Sequence, residues 1–209
     1  MGGVGGTDLA QRHALVLASG SPRRREILEQ LGVRFRVEPS GVAEPAPAAG
    51  ELPETHARTL AAMKADAVAA RHAEDPERPF VLGADTLVVV RGRILGKPAD
   101  DGDAVAMLMA LAGRGHEVIT AVALRCADGS HAADISVRTR VAFRAFDAET
   151  ARRYVATGEG RDKAGAYAAQ GLGAGLVRAV EGSYSNVVGL PAVETIELLT
   201  QAGVLERWP

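Results

Sequence analysis

The period of the apolar positions changes repeatedly along this chain. Leu15 to Ala18 form an unbroken apolar run closed by Ser19-Gly20-Ser21, which predicts a short buried strand, and Ile27, Leu28 and Leu31 then recur at helical spacing. Ser21 is placed to cap that helix, Pro22 suits its first position and Gly32 the residue past its last turn, so a helix of about ten residues is predicted. Val33, Phe35 and Val37 alternate with Arg34, Arg36 and Glu38, the period-two pattern of a half-buried strand. Residues 41–54 are rich in proline, alanine and acid without periodicity and read as a loop. The alanine-rich residues 54–73 predict a long helix with Leu60, Met63, Ala67 and Val68 inward.

Apolar and β-branched residues at 80–83 and 86–90 flank Ala84-Asp85, which reads as a strand pair interrupted by one acid, and Arg91-Gly92-Arg93 turns the chain into Ile94-Leu95-Gly96-Lys97-Pro98. A helix near 103–111 precedes two strands, 116–126 and 134–143, joined across Asp128-Gly129-Ser130. A helix ending at Gly158, a glycine-rich stretch from Lys163 to Gly175, a strand-like run, a loop over 183–191 and a last helix between Pro191 and Gly203 complete the series. Alternating helices and strands with one antiparallel hairpin in the middle argue an α/β fold with a mixed sheet. No fixed-period repeat interrupts the pattern.

Composition narrows the classes of function. The chain has 209 residues of which 47% are hydrophobic, enough for a real core; residues 1–13 read as a flexible N-terminal tail and 14–209 as a single domain, with room for two lobes. A net charge of -2 lacks the basic footprint of a nucleic-acid-binding domain. Cys126 is the only cysteine, which excludes an internal disulfide and a cysteine-rich metal site and fits a reducing cytoplasm. The first residues lack the apolar core of a signal peptide, Gly6 stands where a myristoylation motif wants serine or threonine, and no run approaches the ~18 apolar residues of a membrane span.

Candidate chemistry begins with Arg23, Arg24 and Arg25 in a first helical turn, where the helix dipole disfavours each cation by about 0.3–1 kcal/mol. Either a polyanion shared by backbone N–H groups, serine hydroxyls and guanidinium forks compensates, or the arginines are solvated and one pairs with Glu26 or Glu29. Asp85, inside an apolar run, needs a partner, because burying a lone charge is costly; metal ligation, general-base work and a turn cap beside Thr86 all remain open. A hairpin would return Lys97 to the same mouth, and Lys163 lies beside glycine-rich backbone that a phosphate can approach closely. Other chemistries lack their patterns. GLGAG has neither the spacing nor the following helix of a dinucleotide fingerprint, and no lysine stands in a phosphate-loop motif. The five histidines show no metal-ligand spacing, and no nucleophile elbow is present.

LASGSPRRREIL, GADTLVVVRGRILGKP, KAGAYAAQG and GSYSNVVGLP, in this order, resemble the Maf-like nucleoside triphosphate pyrophosphatases, and the likeness extends from about Leu15 to Ala202. The resemblance implies a two-lobed α/β fold, a mixed β-sheet with flanking helices around a central cleft, akin to the house-cleaning inosine triphosphate pyrophosphatases and often homodimeric. It implies hydrolysis of a nucleoside triphosphate to its monophosphate and pyrophosphate with a divalent cation, Mg²⁺ or Mn²⁺, and neither nucleic acid nor membrane as partner. Asp85 matches the catalytic acid, with Glu44 the second metal-binding acid. Ser19, Arg23, Arg24, Lys64, Lys97 and Lys163 match phosphate-binding positions, and Arg23, Thr86 and Gln170 fall where the family sets base specificity. Ala43 stands where many relatives carry the aspartate of an Asp-Glu pair, leaving Glu44 and Asp85 alone for the metal. The Ser-Gly-Ser-Pro-Arg-Arg and Ala-Gln-Gly motifs together look like the branch that prefers dTTP and UTP, and modified pyrimidine nucleotides fit it. Relatives have also been linked to septum formation, so the alternative is a nucleotide-binding regulator of cell division with little turnover.

Overall fold

Leu15–Leu17 (β1) lies fully buried between two parallel neighbours, Arg36–Val37 (β2) and the start of Phe80–Val90 (β3), in the computed structural model, which describes residues 10–209. The sheet continues antiparallel through Gly115–Cys126 (β5), Ala132–Phe143 (β6) and Val177–Glu181 (β7), in the order β2-β1-β3-β5-β6-β7, while Arg93–Leu95 (β4) pairs with the far end of β3. The sheet is therefore mixed.

β3 differs from the interrupted pair that the sequence predicts. It is one strand of 11 residues, and Asp85 sits inside it opposite Ala121 of β5, because the backbone ladder does not require an apolar side chain. One edge of β3 pairs with β5 along almost its whole length. The other pairs with β1 at Phe80–Leu82 and with β4 at Val88–Val90, so residues 83–87 have no strand beside them on that edge. A cleft opens at this gap. Arg91 and Gly92, both at positive φ (49° and 74°), make the hairpin that brings β4 back and delivers Gly96-Lys97 to the gap.

Helices cover both faces. Pro53–Ala69 (α2) buries Ala57, Leu60, Ala61, Ala65 and Val68, whereas Met63 and Ala67 of the expected inner face are only half-buried. Gly83 explains the rotation. A Cβ there would come within 2.4 Å of the Ala61 carbonyl oxygen and 2.7 Å of the Ala65 nitrogen, so Ala61 and Ala65 set the contact, with Leu60 and Val68 buried beside them and Met63 turned partly outward. On the opposite face, Pro22–Gln30 (α1) and Ala192–Gln201 (α6) pack on Leu15, Leu17, Leu82 and Leu124. Asp101–Leu111 (α3) and Ala148–Ala156 (α4) pack on Val88, Val90, Val118 and Val141. Thr86 and Thr120 lie between these two apolar clusters on the same face, and this polar band divides the molecule into two lobes.

Three local expectations are corrected. Ser21 precedes α1, but its side chain makes no capping hydrogen bond. Val37 is 45% exposed, because β2 is a two-residue edge strand with nothing packed over it. Residues 183–191 are not all loop: Ser183 caps a short helix, Tyr184–Val188 (α5), and Gly189 at φ 129° ends it. Residues 1–9 of the expected tail lie outside the described residues. Residues 10–13 are tied to the C-terminal segment through Arg12 N–H to the Val204 carbonyl and Glu206 N–H to the Ala10 carbonyl, each 2.9 Å. Among the described residues no helix is long and apolar enough to cross a membrane.

His116 of β5 is buried and shares a 2.8 Å hydrogen bond with the Tyr167 hydroxyl, edge-on to Phe143. Burial pushes its pKa down to about 4 from 6.5. Between those values the unfolded chain binds a proton that folded His116 refuses, so stability is lost as pH falls from about 6.5 to 4, by on the order of 3 kcal/mol. Urea unfolding across that window should show this slope in the wild type and its loss in His116→Phe; equal slopes would contradict it.

Candidate active site

The gap in β3 opens into a cleft of about 650 Å³ between the lobes. It is walled by the β1–α1 turn, the proline-rich loop before α2, the segment after β4, the glycine-rich segment after Lys163, and the end of α5. Ser19, Arg23, Arg24, Glu44, Lys64, Asp85, Thr86, Lys97, Lys163 and Gln170 all line it. Ten positions scattered over 150 residues of sequence thus meet in one cavity.

At its floor Asp85 is 6% exposed. Lys64, one of the few polar residues on the buried face of α2, donates to Asp85 Oδ1 at 2.7 Å and lies 2.7 Å from Glu44 Oε1. The acid–lysine–acid bridge explains how a carboxylate survives inside an apolar strand, since its charge is paired. The partner is Lys64 from α2; Lys97, which the hairpin does bring to the same mouth, is exposed and adds its charge to the field around Glu44. Burial raises the Glu44 pKa, but the Lys64 hydrogen bond and the charges of Lys64, Lys97 and Arg24 outweigh it and hold the group below the usual carboxylate range. Glu44 stays ionised.

Asp85 Oδ2 is buried and has no hydrogen-bond partner among the described residues. A carboxylate oxygen left without a partner, on a residue that lines a cleft, can take a proton donor or a cation. Glu44 and Asp85 together supply hard oxygen donors suited to a divalent ion such as Mg²⁺, which is commonly bound by one or two carboxylates and completed by water and substrate phosphate. No group of three or more His, Cys, Asp or Glu residues that could hold a metal occurs among the described residues, so a cation here needs those outside oxygens.

The three arginines divide. Arg24 is buried and engaged in structure through three of its five N–H groups: Nε donates to the Gly189 carbonyl at 2.9 Å, Nη1 to Ser19 Oγ at 3.1 Å and Nη2 to Thr86 Oγ1 at 3.1 Å. It joins α1 to β3 and to the end of α5. Burial lowers its pKa, opposed by the charges of Asp85 and Glu44. Arg23 is half-buried in the cleft wall. Arg25 points elsewhere, is exposed and forms a 3.5 Å ion pair with Glu29, so for this residue the pairing alternative holds. Lys163 is half-buried beside its ion-pair partner Asp162. Gln170 is exposed at the lip.

Sequence reasoning missed several residues. Asp162 and Tyr167 line the cleft. Asn186, fully buried, donates from its side-chain amide to the Val118 carbonyl and Thr139 Oγ1 at 3.1 and 2.9 Å, while its backbone carbonyl accepts from Thr120 Oγ1 at 3.0 Å. Thr120 in turn lies 3.0 Å from Thr86 Oγ1. An asparagine within the apolar Val-Val-Gly-Leu context was the available signal.

A family model described as "Maf-like protein" matches residues 14–202. A dTTP/UTP pyrophosphatase of Alcanivorax borkumensis is 50% identical over 190 residues, covering 91% of this chain and 96% of that protein. One of Myxococcus xanthus is 50% identical over 199 residues, covering 95% and 97%. Among solved structures, a HAM1 protein from Coxiella burnetii aligns with TM-score 0.44 at 17% identity, over 63% of this chain and 73% of that one.

Proposed function

This chain belongs to the Maf-like protein family, and on that premise we propose that it is a nucleoside triphosphate pyrophosphatase acting on dTTP, UTP and modified pyrimidine triphosphates. It would release the monophosphate and pyrophosphate and so clear the nucleotide pool. The observation that carries the reading is Asp85, whose Oδ2 has no partner among the described residues, at the floor of a cleft whose walls bear Arg23, Lys97 and Lys163. The names of relatives at 50% identity over nearly their whole length support the substrate choice.

Each residue then has a task. Lys64 holds Oδ1, which leaves Oδ2 as proton acceptor for the attacking water or as ligand of the cation. Arg23, Lys97 and Lys163 bind and orient the triphosphate and offset charge that builds on its oxygens. Arg24 fixes Ser19 at the base of the phosphate wall and holds Thr86 beside it. Glu44 and Asp85 would hold Mg²⁺ or Mn²⁺, and the ion, when bound, supplies further positive charge to the phosphates. Arg23, Thr86 and Gln170 border the cleft where the base would lie. A cytoplasmic enzyme is in keeping with the free, buried Cys126.

The test is pyrophosphate release with Mg²⁺ or Mn²⁺ across dTTP, UTP, CTP, GTP and methylated pyrimidine triphosphates. Turnover of dTTP and UTP well above CTP and GTP is expected. Tight binding of every nucleotide without turnover would favour the division regulator instead.

A further inference from the structure

The glycine-rich segment after Lys163 is a tightly bonded clamp, and its centre is a residue outside the cleft lining. Glu159, just past α4, accepts three hydrogen bonds on its carboxylate: from the Leu172 N–H at 2.9 Å, the Gly173 N–H at 2.7 Å and the Tyr154 hydroxyl at 2.8 Å. The same Tyr154 oxygen accepts the Ala168 N–H at 3.0 Å. Two side chains of one lobe thus bind the backbone at both ends of residues 168–173.

The glycines make this approach feasible. A Cβ on Gly171, at φ 64°, would stand 2.1 Å from Glu159 Oε1, and one on Gly173 would stand 2.2 Å from the Ala168 carbonyl oxygen and 2.7 Å from the Tyr154 hydroxyl. A Cβ on Gly160 would meet the Ala166 carbonyl oxygen at 2.0 Å. These glycines therefore serve close packing of backbone on a carboxylate, as well as positive φ. Burial raises the Glu159 pKa, but the bonds from Tyr154, Gly173 and Leu172 and the charge of Lys163 outweigh it and keep it below the usual range.

The first half of the clamped segment forms part of the cleft wall. Ala168, Ala169 and Gln170 line it, and Lys163 lies a few residues before them on the same segment. From this geometry we propose that Glu159 is a positioning residue: with Tyr154 it holds residues 168–170 in the one conformation that selects the nucleotide, without touching the substrate. The proposal rests on the cleft being a nucleotide site. It concerns binding and selection, which the wall at 168–170 governs, and leaves the proton transfer at Asp85 to other residues.

Glu159→Gln keeps the shape but sets an amide NH₂ against one of the two backbone N–H groups. In the full-length protein this variant should raise KM for dTTP about tenfold, keep kcat within about twofold and narrow discrimination against CTP and GTP. Amide exchange over residues 168–173 should quicken by about tenfold or more, with little change elsewhere. Tyr154→Phe removes one of the three carboxylate bonds and should give the same pattern with about a threefold rise in KM; it serves if Glu159→Gln does not fold. Unchanged exchange at 168–173 overturns the proposal, as does a fall in kcat at constant KM, or faster exchange with KM and selectivity both unmoved. Should the wild type fail to hydrolyse dTTP, the functional reading falls, while the exchange comparison still decides whether Glu159 holds the segment.

Discussion

Asp85→Asn is expected to fold normally and to release pyrophosphate about 10²- to 10⁴-fold more slowly than the wild type. The amide is isosteric, so the place in β3 opposite Ala121 is kept, and an amide oxygen turned toward Lys64 Nζ preserves that hydrogen bond. What is lost is the basic, anionic Oδ2 that has no other partner among the described residues. Circular dichroism and unfolding establish the fold, and a coupled pyrophosphate assay reads the rate. A well-folded, fully active Asp85→Asn would remove Asp85 from the chemistry.

Lys64→Met should damage stability as well as rate. Lys64 is the hydrogen-bonded cation between two carboxylates, and its side chain and that of Asp85 are 10% and 8% exposed. Taking away one partner of a buried pair leaves an uncompensated charge at a cost of about 3 kcal/mol or more. For a chain of this size that lowers Tm by roughly 6–12 °C. Glu44, at 45% exposure, can turn to water and should contribute little of the loss. The double variant Lys64→Met/Asp85→Asn should regain most of the lost stability and none of the activity. If the double variant is no more stable than Lys64→Met alone, the pairing of Lys64 with Asp85 is not what makes the buried carboxylate tolerable.

The fold was largely legible where period and punctuation agree. Serine before the first helix and proline at its start, glycine after it, and the Asp-Gly-Ser turn of the long hairpin mark elements that the structure contains. β3 was misread because an acid inside an apolar run looks like a break, and only the position of Lys64 on another element removes the reason for one. The inward face of α2 was misread because alanine is silent in a pattern of large apolar residues, yet Gly83 lets alanines make the closest contact. The short helix α5 escaped notice because a five-residue helix has no period to detect.

The candidate site was legible as a set of residues through the resemblance, whose four motifs hold eight of the ten while Glu44 and Lys64 lie outside them, and the cleft gathers all ten. Their relations were not. Nothing in the local sequence says that Lys64 bridges two acids, that Arg24 is tied to Ser19, Thr86 and Gly189, or that Glu159 binds the backbone of the glycine-rich segment. Most of these contacts join residues 13 to 165 positions apart, which periodicity cannot carry.

The most direct measurement is the product balance when the purified protein consumes dTTP with Mg²⁺, followed by ³¹P NMR. The account predicts dTMP and pyrophosphate in equal amounts from the first turnover. The appearance of dTDP with orthophosphate would contradict it, because the bond broken would then be the wrong anhydride.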